Sequence, residues 1–478
     1  MTSTPAESSL TEDLRAAIDN SFHDTLARLK ELVAIPGIAW PSFDRAPLDR
    51  SADATAALLR AAGLAEVSVL GCDKEDGTPG GPAVVARRPA REGKPTILLY
   101  AHHDVQPAGD EALWETRPFV AVEKEGRLYG RGAADDKAGI MAHIAAYAAA
   151  AEVLGDSFGL GVTFFFEGEE EAGSPTFRRF LETHRELLRA DVIVVADSSN
   201  WKVGTPALTT SLRGLVDGTI EVQVLSHAVH SGMFGGPVLD APTLLSRLIA
   251  TLHDDDGNVA VRGLVATDTA VVDLPEADYR ADASVLDGVR LAGTGSIASR
   301  LWTKPALSII GIDAPAVDVA SNTLLPRARA KFSLRLAPGQ DPAEAMAAMR
   351  RHVEENAPFG AKVIFTPGES GNPFSTDTSS PAAALAMWAL GEAWGVPAVE
   401  TGIGGSIPFI ADLTEMYPDV QILVTGVEDP DSRAHSANES LHLGDFRNAV
   451  LAEALMLVRL NNDGLREQGQ AGHGYAGS

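Results

Sequence analysis

Hydrophobic and polar residues are arranged in two different patterns along the chain. Outside the middle of the sequence, short unbroken apolar runs alternate with longer helical patterns, and the runs are residues 95–101, 160–166, 190–196 and 420–426. Unbroken runs of this length are typical of strands covered on both faces of a sheet. The alanine-rich segment 137–154 predicts a long helix. Together these elements predict an α/β domain with helices packed on its sheet.

The middle of the chain alternates apolar with polar residues instead. Residues 215–225 and 327–338 have the period of strands with one wet face. Two amphipathic helices are predicted in the same region, at 241–254 and 342–357. This pattern predicts an inserted α+β domain with an antiparallel sheet. The predicted order is a first part of the α/β domain, the insertion and a second part, at residues 1–210, 211–381 and 382–478.

Composition and charge disfavour some binding partners and indicate a cellular location. The chain has 478 residues and a net charge of −26, which disfavours binding to nucleic acid or anionic lipid. The single cysteine, Cys72, excludes an internal disulfide and suits a reducing compartment. The N-terminus lacks the pattern of a signal peptide, and we expect no apolar stretch near the ~18 residues of a membrane span. We therefore expect a cytoplasmic location.

Imidazoles and carboxylates follow each of the four apolar runs. They are His102, His103 and Asp104 after the first run, Glu167, Glu169, Glu170 and Glu171 after the second, Asp197 after the third and His435 beyond the fourth. The carboxyl edge of an open α/β sheet is where ligands bind. One acidic residue at a strand end could be a turn or a cap, but four such ends predict a shared metal site.

Spacing within these motifs suggests how individual side chains are used. On an extended chain His102 and Asp104 point to the same side and His103 to the other. Asp104 could bind metal or orient the imidazole of His102, and we expect His103 to be a packing or surface histidine. Asp135 and Asp136 precede the long helix, where acids could equally be helix caps or ligands.

Two other kinds of site are disfavoured. The glycines Gly130 and Gly132 suggest a dinucleotide fingerprint, but its third glycine is replaced by Asp135. The chain has no phosphate-binding G-x-x-x-x-G-K-[ST] loop. The segment "GGSIP" around Ser406 lacks the second glycine of a serine-hydrolase elbow.

The candidate ligands are histidine and carboxylate without cysteine. This donor set suits zinc, manganese or cobalt rather than a structural thiolate site. Three ligand carboxylates facing two divalent ions would leave surplus positive charge, which favours formation of a hydroxide nucleophile near neutral pH.

Several motifs occur in the order seen in one family of metallopeptidases. They include "YAHHDVQP", "GRGAADDKAG", "FFFEGEEEAGS", "HSGMFGG" and "AHSANE". From about residue 20 to about residue 460 the chain resembles the M20 metallopeptidases, most closely their dipeptidase branch, which includes cytosolic non-specific dipeptidase and carnosinase. The resemblance implies a zinc-exopeptidase-like catalytic domain with a mixed sheet, and an inserted ferredoxin-like dimerisation or lid domain.

The resemblance implies two metal ions per subunit, with zinc expected first and manganese or cobalt as alternatives. It implies that His102, Asp135 and Asp197 hold one ion and that Asp135, Glu171 and His435 hold the other. Asp135 would then bridge the pair.

The resemblance also implies roles around the metals. Glu170 would be the general base, and Asp104 would support His102. The peptide bond after Asp135 is expected to be cis. His230 is expected to reach the partner subunit's site in a homodimer and stabilise the oxyanion.

Four further residues match positions of the family's substrate site. By composition alone we would interpret Arg335 as a solvent-facing strand arginine. The resemblance makes it a clamp for the substrate carboxylate, because a guanidinium binds a carboxylate with two hydrogen bonds. Asn322, Thr323 and Ser406 match positions that line that site.

The expected activity is hydrolysis of the peptide bond of dipeptides or other short peptides with a free C-terminal carboxylate. One alternative is an aminoacylase or amidase of the same family that acts on N-acyl amino acids. Another is a non-catalytic binding protein stabilised by metal.

Overall fold

The computed structural model describes residues 5–405 and 408–465. Its α-helices, in chain order, are α1 (Pro5–Val33), α2 (Ala46–Ala61), α3 (Lys137–Leu154), α4 (Phe177–Thr183), α5 (Ser231–Phe234), α6 (Ala241–Ala250), α7 (Glu276–Asp282), α8 (Ile297–Trp302), α9 (Pro342–Glu355), α10 (Pro381–Trp394), α11 (Pro408–Met416) and α12 (Leu443–Asp463). The long helix predicted at residues 137–154 is confirmed.

The strands include all of the predicted ones. They are β1 (Glu66–Leu70), β2 (Ala83–Arg88), β3 (Thr96–His102), β4 (Val122–Lys124), β5 (Arg127–Tyr129), β6 (Gly161–Glu167), β7 (Val192–Val195), β8 (Ala207–Leu212), β9 (Gly214–Gln223), β10 (Val229–His230), β11 (Ala306–Asp313), β12 (Thr323–Leu324), β13 (Arg327–Leu336), β14 (Lys362–Gly371), β15 (Phe374–Ser375), β16 (Val399–Ile403), β17 (Gln421–Val424) and β18 (Ser440–His442).

The chain divides into two compact units. The first consists of Met1–Thr210, Thr376–Glu400 and Asp412–Ser478, and the second of Ser211–Ser375 and Thr401–Ala411. This division differs from the predicted domains at two places, because residues 376–381 fall in the first unit and residues 401–411 in the second. Backbone hydrogen bonds explain both differences: the Thr376 N–H donates to the Thr210 carbonyl (2.9 Å) and the Arg213 N–H to the Ile403 carbonyl (3.2 Å).

The first unit is built on a mixed sheet of order β1-β2-β6-β3-β7-β17-β8. The strands β6, β3, β7 and β17 are parallel, and the strands outside them are antiparallel. Helices α1, α3, α10 and α12 pack on one another, and α2 packs on β1 and β2. This is the α/β architecture that the apolar runs predict.

The strand β6 shows why its sequence is apolar throughout. Phe164 contacts Tyr147 of α3, with ring centroids 5.5 Å apart. Phe165 points to the opposite face and stacks on Phe180 of α4 at 5.1 Å. All seven residues of β6 are buried, because helices cover both faces of the sheet.

The helix α3 corrects one expectation from the sequence. The segment Lys137–Ser157 has a mean hydropathy of 1.4 and is long and apolar enough, by length and composition, to cross a membrane. The expectation that no stretch approaches that length was therefore wrong. Most of the segment is buried inside the first unit, which is typical of the core helix of a globular domain.

The second unit contains an antiparallel sheet of order β11-β13-β9-β14. Helices α6 and α9 pack on it, over a core that includes Val216, Phe332 and Met349. Burial alternates residue by residue along β13, as its sequence predicts. The order β9-α6-β11-β13-α9-β14 gives the β-α-β-β-α-β arrangement of a ferredoxin-like domain.

Candidate metal centre

Five loops of the first unit bring together the five predicted metal ligands and the predicted base, Glu170. The side chains are His102 at the end of β3, Asp135 before α3, Glu170 and Glu171 after β6, Asp197 after β7 and His435 after β17. Since β3, β6, β7 and β17 run parallel, the chain segments that follow them emerge at one edge of the sheet. The structure therefore places every predicted metal ligand in one cluster.

Asp135 lies between two imidazoles. Its Oδ1 is 3.0 Å from Nε2 of His102, and its Oδ2 is 3.0 Å from Nε2 of His435. The same nitrogen of His435 is 3.1 Å from Oε2 of Glu171. One carboxylate thus presents its two oxygens to two different sets of donors, which is the geometry of a bridging ligand.

The ligand atoms form two groups of three. One group is His102, Glu170 and Asp197, and the other is Asp135, Glu171 and His435; within each group the atoms lie within 4.8 Å of one another. The second group is the set that the resemblance implies. The first contains Glu170, the expected base, in place of Asp135, although Asp135 remains within 3.0 Å of His102.

Asp104 contacts the residues that carry the ligands. Its carboxylate accepts hydrogen bonds from the backbone N–H groups of Glu170 (3.2 Å) and Glu171 (3.1 Å). It also lies 3.4 Å from Nδ1 of His102, and both side chains are fully buried. Of the two roles left open by the sequence, this geometry favours orientation of His102.

The electrostatics of the cluster favour positive charge. Burial raises the pKa of Asp197 to about 6, and nearby carboxylates reinforce that rise. Burial alone would raise the pKa of Asp135, but contacts with both histidines outweigh it and hold the pKa low. Contacts with Asp135 and Glu171 raise the pKa of His435 to about 11. The centre therefore attracts cations, either as protons on its histidines or as metal ions.

The residues present fit a pair of divalent ions. The donors are imidazole nitrogen and carboxylate oxygen without a thiol, as zinc, manganese and cobalt accept. Four carboxylates in a largely buried cluster also need more compensating charge than two imidazoles can supply.

The other two glutamates after β6 make local hydrogen bonds. The Tyr100 hydroxyl donates to Oε2 of Glu167 at 2.6 Å, and burial raises the pKa of that glutamate to about 8. Glu169 accepts from the backbone N–H groups of Gly81 (2.6 Å) and Thr176 (2.8 Å). Glu167 and Glu169 are thus buried and have hydrogen-bond partners within the protein.

Three smaller expectations concern residues in and around β3 and the start of α3. Asp136 makes no side-chain cap to α3; its Oδ2 accepts from the His102 N–H at 3.2 Å, so the capping interpretation was wrong for it. The peptide bond between Asp135 and Asp136 is cis. His103 is a packing histidine: it is fully buried, and its Nε2–H donates to the Pro82 carbonyl at 2.7 Å.

Sequence reasoning missed two residues that hold the cluster. Gln106 donates from Nε2 to Oε2 of Glu171 at 2.7 Å and from its backbone N–H to Oε1 at 3.1 Å. The signal for it was its position two residues after Asp104, on the same side of an extended chain. Glu439 was the other, and only its position four residues after His435 distinguishes it in the sequence.

Glu439 organises the loop that carries Asp135. Its buried carboxylate accepts from the backbone N–H groups of Gly132, Ala134 and Asp135 at 3.0–3.1 Å. It also accepts from Nη1 of Arg131 at 2.6 Å. The bridging carboxylate is therefore positioned by a second carboxylate from a distant part of the chain.

The remaining predicted residues belong to the second unit. His230 pairs with Thr323 across the short ladder of β10 and β12, and the Asn322 carbonyl accepts from the Ser231 N–H at 3.0 Å. These three predicted residues are therefore neighbours. Arg335 is partly buried on β13, while Ser406 lies outside the described residues.

Comparisons with known proteins identify the family of the chain. The family described as Peptidase family M20/M25/M40 matches residues 98–459. A cysteinylglycine-S-conjugate dipeptidase from Corynebacterium striatum is 37% identical over 369 residues, which cover 76% of this chain and 81% of that protein. A Beta-Ala-His dipeptidase from Rattus norvegicus is 28% identical over 466 residues, which cover 92% and 94%.

The solved structures give the same relationship. The crystal structure of human carnosine dipeptidase 1 superposes with a TM-score of 0.73 at 26% identity, and the alignment covers 95% of this chain and 99% of that one. The match to the family extends over most of the chain and includes every residue of the metal cluster. The chain therefore belongs to peptidase family M20/M25/M40.

Proposed function

We propose that the protein is a metallodipeptidase that hydrolyses dipeptides or other short peptides with a free C-terminal carboxylate. The observation that carries the proposal is Asp135, whose two oxygens face two separate groups of histidine and carboxylate donors. The relatives named as dipeptidases support the same class of substrate.

His102, Asp135 and Asp197 would hold one divalent ion, and Asp135, Glu171 and His435 the other. When bound, such a pair polarises a carbonyl group and lowers the pKa of water. Zinc is the first candidate, and manganese and cobalt suit the same donors.

Glu170 acts as the general base. It lies beside His102 and Asp197, and Asp104 holds its backbone N–H. Glu170 takes the proton of the attacking water and passes it to the leaving amine, so the peptide C–N bond breaks as the carbonyl carbon gains an oxygen.

Residues of the second unit bind the substrate. His230 stabilises the tetrahedral oxyanion in the partner subunit's site. Arg335 binds the C-terminal carboxylate, which limits substrates to short peptides. Asn322 and Thr323 contribute to the same site.

Glu170→Gln tests the mechanism. We expect turnover of a dipeptide to fall by roughly 10²–10⁴-fold, because general-base catalysis contributes about that much. Metal content should stay the same, since Glu170 is assigned no ligand role. Glu152→Gln, an exposed position on α3, is the matched control. Near-normal turnover of a metal-loaded Glu170→Gln protein would refute the mechanism.

A substrate panel tests the class of reaction. We expect metal-dependent hydrolysis of dipeptides and little of N-acetyl amino acids or longer peptides. Faster hydrolysis of N-acetyl amino acids would instead indicate an aminoacylase, and no hydrolysis of any compound would indicate a binding protein.

The protein is proposed to work as a homodimer formed through its second unit. Large apolar side chains are exposed there, including Ile310 and Ile312 on the edge strand β11 and Val317 and Val319 beyond it. Exposed apolar groups of this kind favour association.

Mixing two inactive variants tests the crossing of His230. His230→Ala and Glu170→Gln should each be inactive alone. Subunit exchange should restore activity, because the mixed dimer contains one intact metal site facing one intact His230. A mixture with no more activity than its parts would contradict the crossing.

A cytoplasmic location is part of the proposal. Cys72 is the sole cysteine and a free thiol, which suits a reducing compartment. Cell fractionation with an antibody against the protein would test it.

A further inference from the structure

A cavity of about 440 Å³ lies wholly within the second unit. It is bounded by α8, the start of β11 and the loops that follow α6 and precede α8. Three basic side chains line it, Arg213, Arg300 and Lys304, and no acidic residue occurs among the described residues that line it. This concentration of positive charge is unexpected in a chain whose net charge is −26.

Arg213 is the most deeply buried of the three. It is 7% exposed; its Nε donates to the Gly404 carbonyl at 3.0 Å and its Nη1 to the Arg300 carbonyl at 3.4 Å. It makes no ion pair within the part of the chain that the structure describes. Burial, with a contribution from the charge of Arg335, lowers the pKa of Arg213 to about 10. A buried guanidinium compensated only by carbonyl dipoles costs free energy.

The other two cations are also held by carbonyl groups. Lys304 donates from Nζ to the Thr294 carbonyl at 2.6 Å. It also forms an ion pair with the half-exposed Asp268, at 3.5 Å. Arg300 donates from Nη1 to the Ala292 carbonyl at 3.0 Å. These bonds orient the two side chains at the cavity wall. Among the described residues Arg300 has no ion pair, while Lys304 is paired with Asp268.

The rest of the wall is largely apolar. It includes Val259, Leu291, Ile297 and Leu307. The volume falls within the range of small-molecule sites, which combine an apolar lining with a few polar groups that orient the ligand.

We propose that this cavity binds a small organic anion, a carboxylate or a phosphate monoester attached to an apolar body. The anionic group would lie among Arg213, Arg300 and Lys304, whose N–H donors suit carboxylate and phosphate oxygens alike. The apolar body would contact the aliphatic wall. The proposal does not depend on the metal centre, because all residues that line the cavity belong to the second unit.

Isothermal titration of the metal-loaded full chain tests the proposal. The probes are phenyl phosphate, benzoate and the neutral benzamide, at one ionic strength. We expect saturable binding of at least one of the two anions and none of benzamide. The anion that binds more tightly distinguishes a phosphate ligand from a carboxylate ligand.

Variants then locate the binding. Lys304→Gln should raise the Kd of the bound anion at least about tenfold, as loss of a charged hydrogen bond predicts. Arg300→Gln is the second variant, in case the first does not fold. Lys362→Gln, at an exposed lysine of β14 in the same unit, should leave the Kd unchanged.

Three results would overturn the proposal. They are binding of neither anion, binding of benzamide as tight as that of benzoate, and an equal Kd in the wild type and in both cavity variants. The last result would mean that the anion binds elsewhere, for example at the metal centre. Dipeptide hydrolysis by Lys304→Gln, measured in parallel, reports that the variant is folded.

Discussion

The two units of the molecule each contain a cluster of charged side chains, and the two clusters are of opposite sign. In the first unit carboxylates converge on two imidazoles at the carboxyl edge of a sheet. In the second, two guanidinium groups and an ammonium group converge on a cavity. The carboxylates of the first set outnumber its imidazoles. In the second set Arg213 and Arg300 form no ion pair with any described residue, and Lys304 is paired only with the half-exposed Asp268. Because uncompensated buried charge is costly, the sign of each cluster predicts the sign of its ligand, cations for the first and an anion for the second.

Other buried charges of the first unit show the contrast. Glu439 is paired with Arg131, and Glu453 is paired with His143, 2.8 Å away. Glu169 accepts from backbone and hydroxyl donors. These carboxylates have protein partners, and so they need no ligand. The metal cluster differs because its four carboxylates outnumber the two imidazoles that could compensate their charge.

The largest expected effect is loss of the shared carboxylate. In Asp135→Asn the metal content should fall from two ions per chain to one or none, because both groups lose negative charge, and dipeptide hydrolysis should fall to background. Inductively coupled plasma mass spectrometry measures the metal content, and a dipeptide assay measures hydrolysis. Asp24→Asn, at an exposed position on α1, is the control. Full metal content in Asp135→Asn would remove the basis for a bridging role, and binding of phenyl phosphate should be unaffected in either case.

A smaller effect, on stability, is expected at Glu439, whose negative charge is compensated by Arg131. Glu439→Gln leaves Arg131 buried without its carboxylate, which should lower the free energy of unfolding by about 3–5 kcal/mol. Urea denaturation measures it. The double variant Arg131→Met/Glu439→Gln should recover part of the loss, because the unpaired cation is gone. If the single variant were as stable as the wild type, Glu439 would not be the residue that holds the Asp135 loop.

The smallest effect, on metal affinity, is expected at Gln106. This residue is uncharged and donates a hydrogen bond to the ligand Glu171. Gln106→Ala should weaken metal binding by roughly 10–100-fold, as removal of a group that orients a ligand does. Competition with a chelator of known affinity measures the change. Gln223→Ala in the second unit is the control. Unchanged metal affinity would mean that the backbone N–H of residue 106 is enough to orient Glu171.

Much of the fold follows from local patterns. The unbroken apolar runs become β3, β6, β7 and β17, and the alternating runs become β9 and β13, because periodicity reports how many faces of a strand are covered. Residues 401–411 differ from the predicted division, because they group with the second unit. Their membership depends on hydrogen bonds such as that from Arg213 to Ile403, and no local pattern records such a partner.

The candidate site was predictable to a similar extent. Residue type and position at strand ends indicate His102, Glu171 and Asp197, because parallel strands bring their carboxyl ends to one edge. The role of Asp135 came from the family resemblance, since an acid before a helix could equally cap it. Only the structure shows that its two oxygens face different histidines.

The sequence by itself determined the elements, the ligand types and the family, because these depend on residue chemistry and on short-range spacing. The tertiary structure decided which charges are compensated. Glu439 reaches the Asp135 loop across more than 300 residues of chain, and the basic cavity combines Arg213 with residues from 253 to 308. Such compensation depends on distance and burial in the folded state, which no single stretch of sequence records.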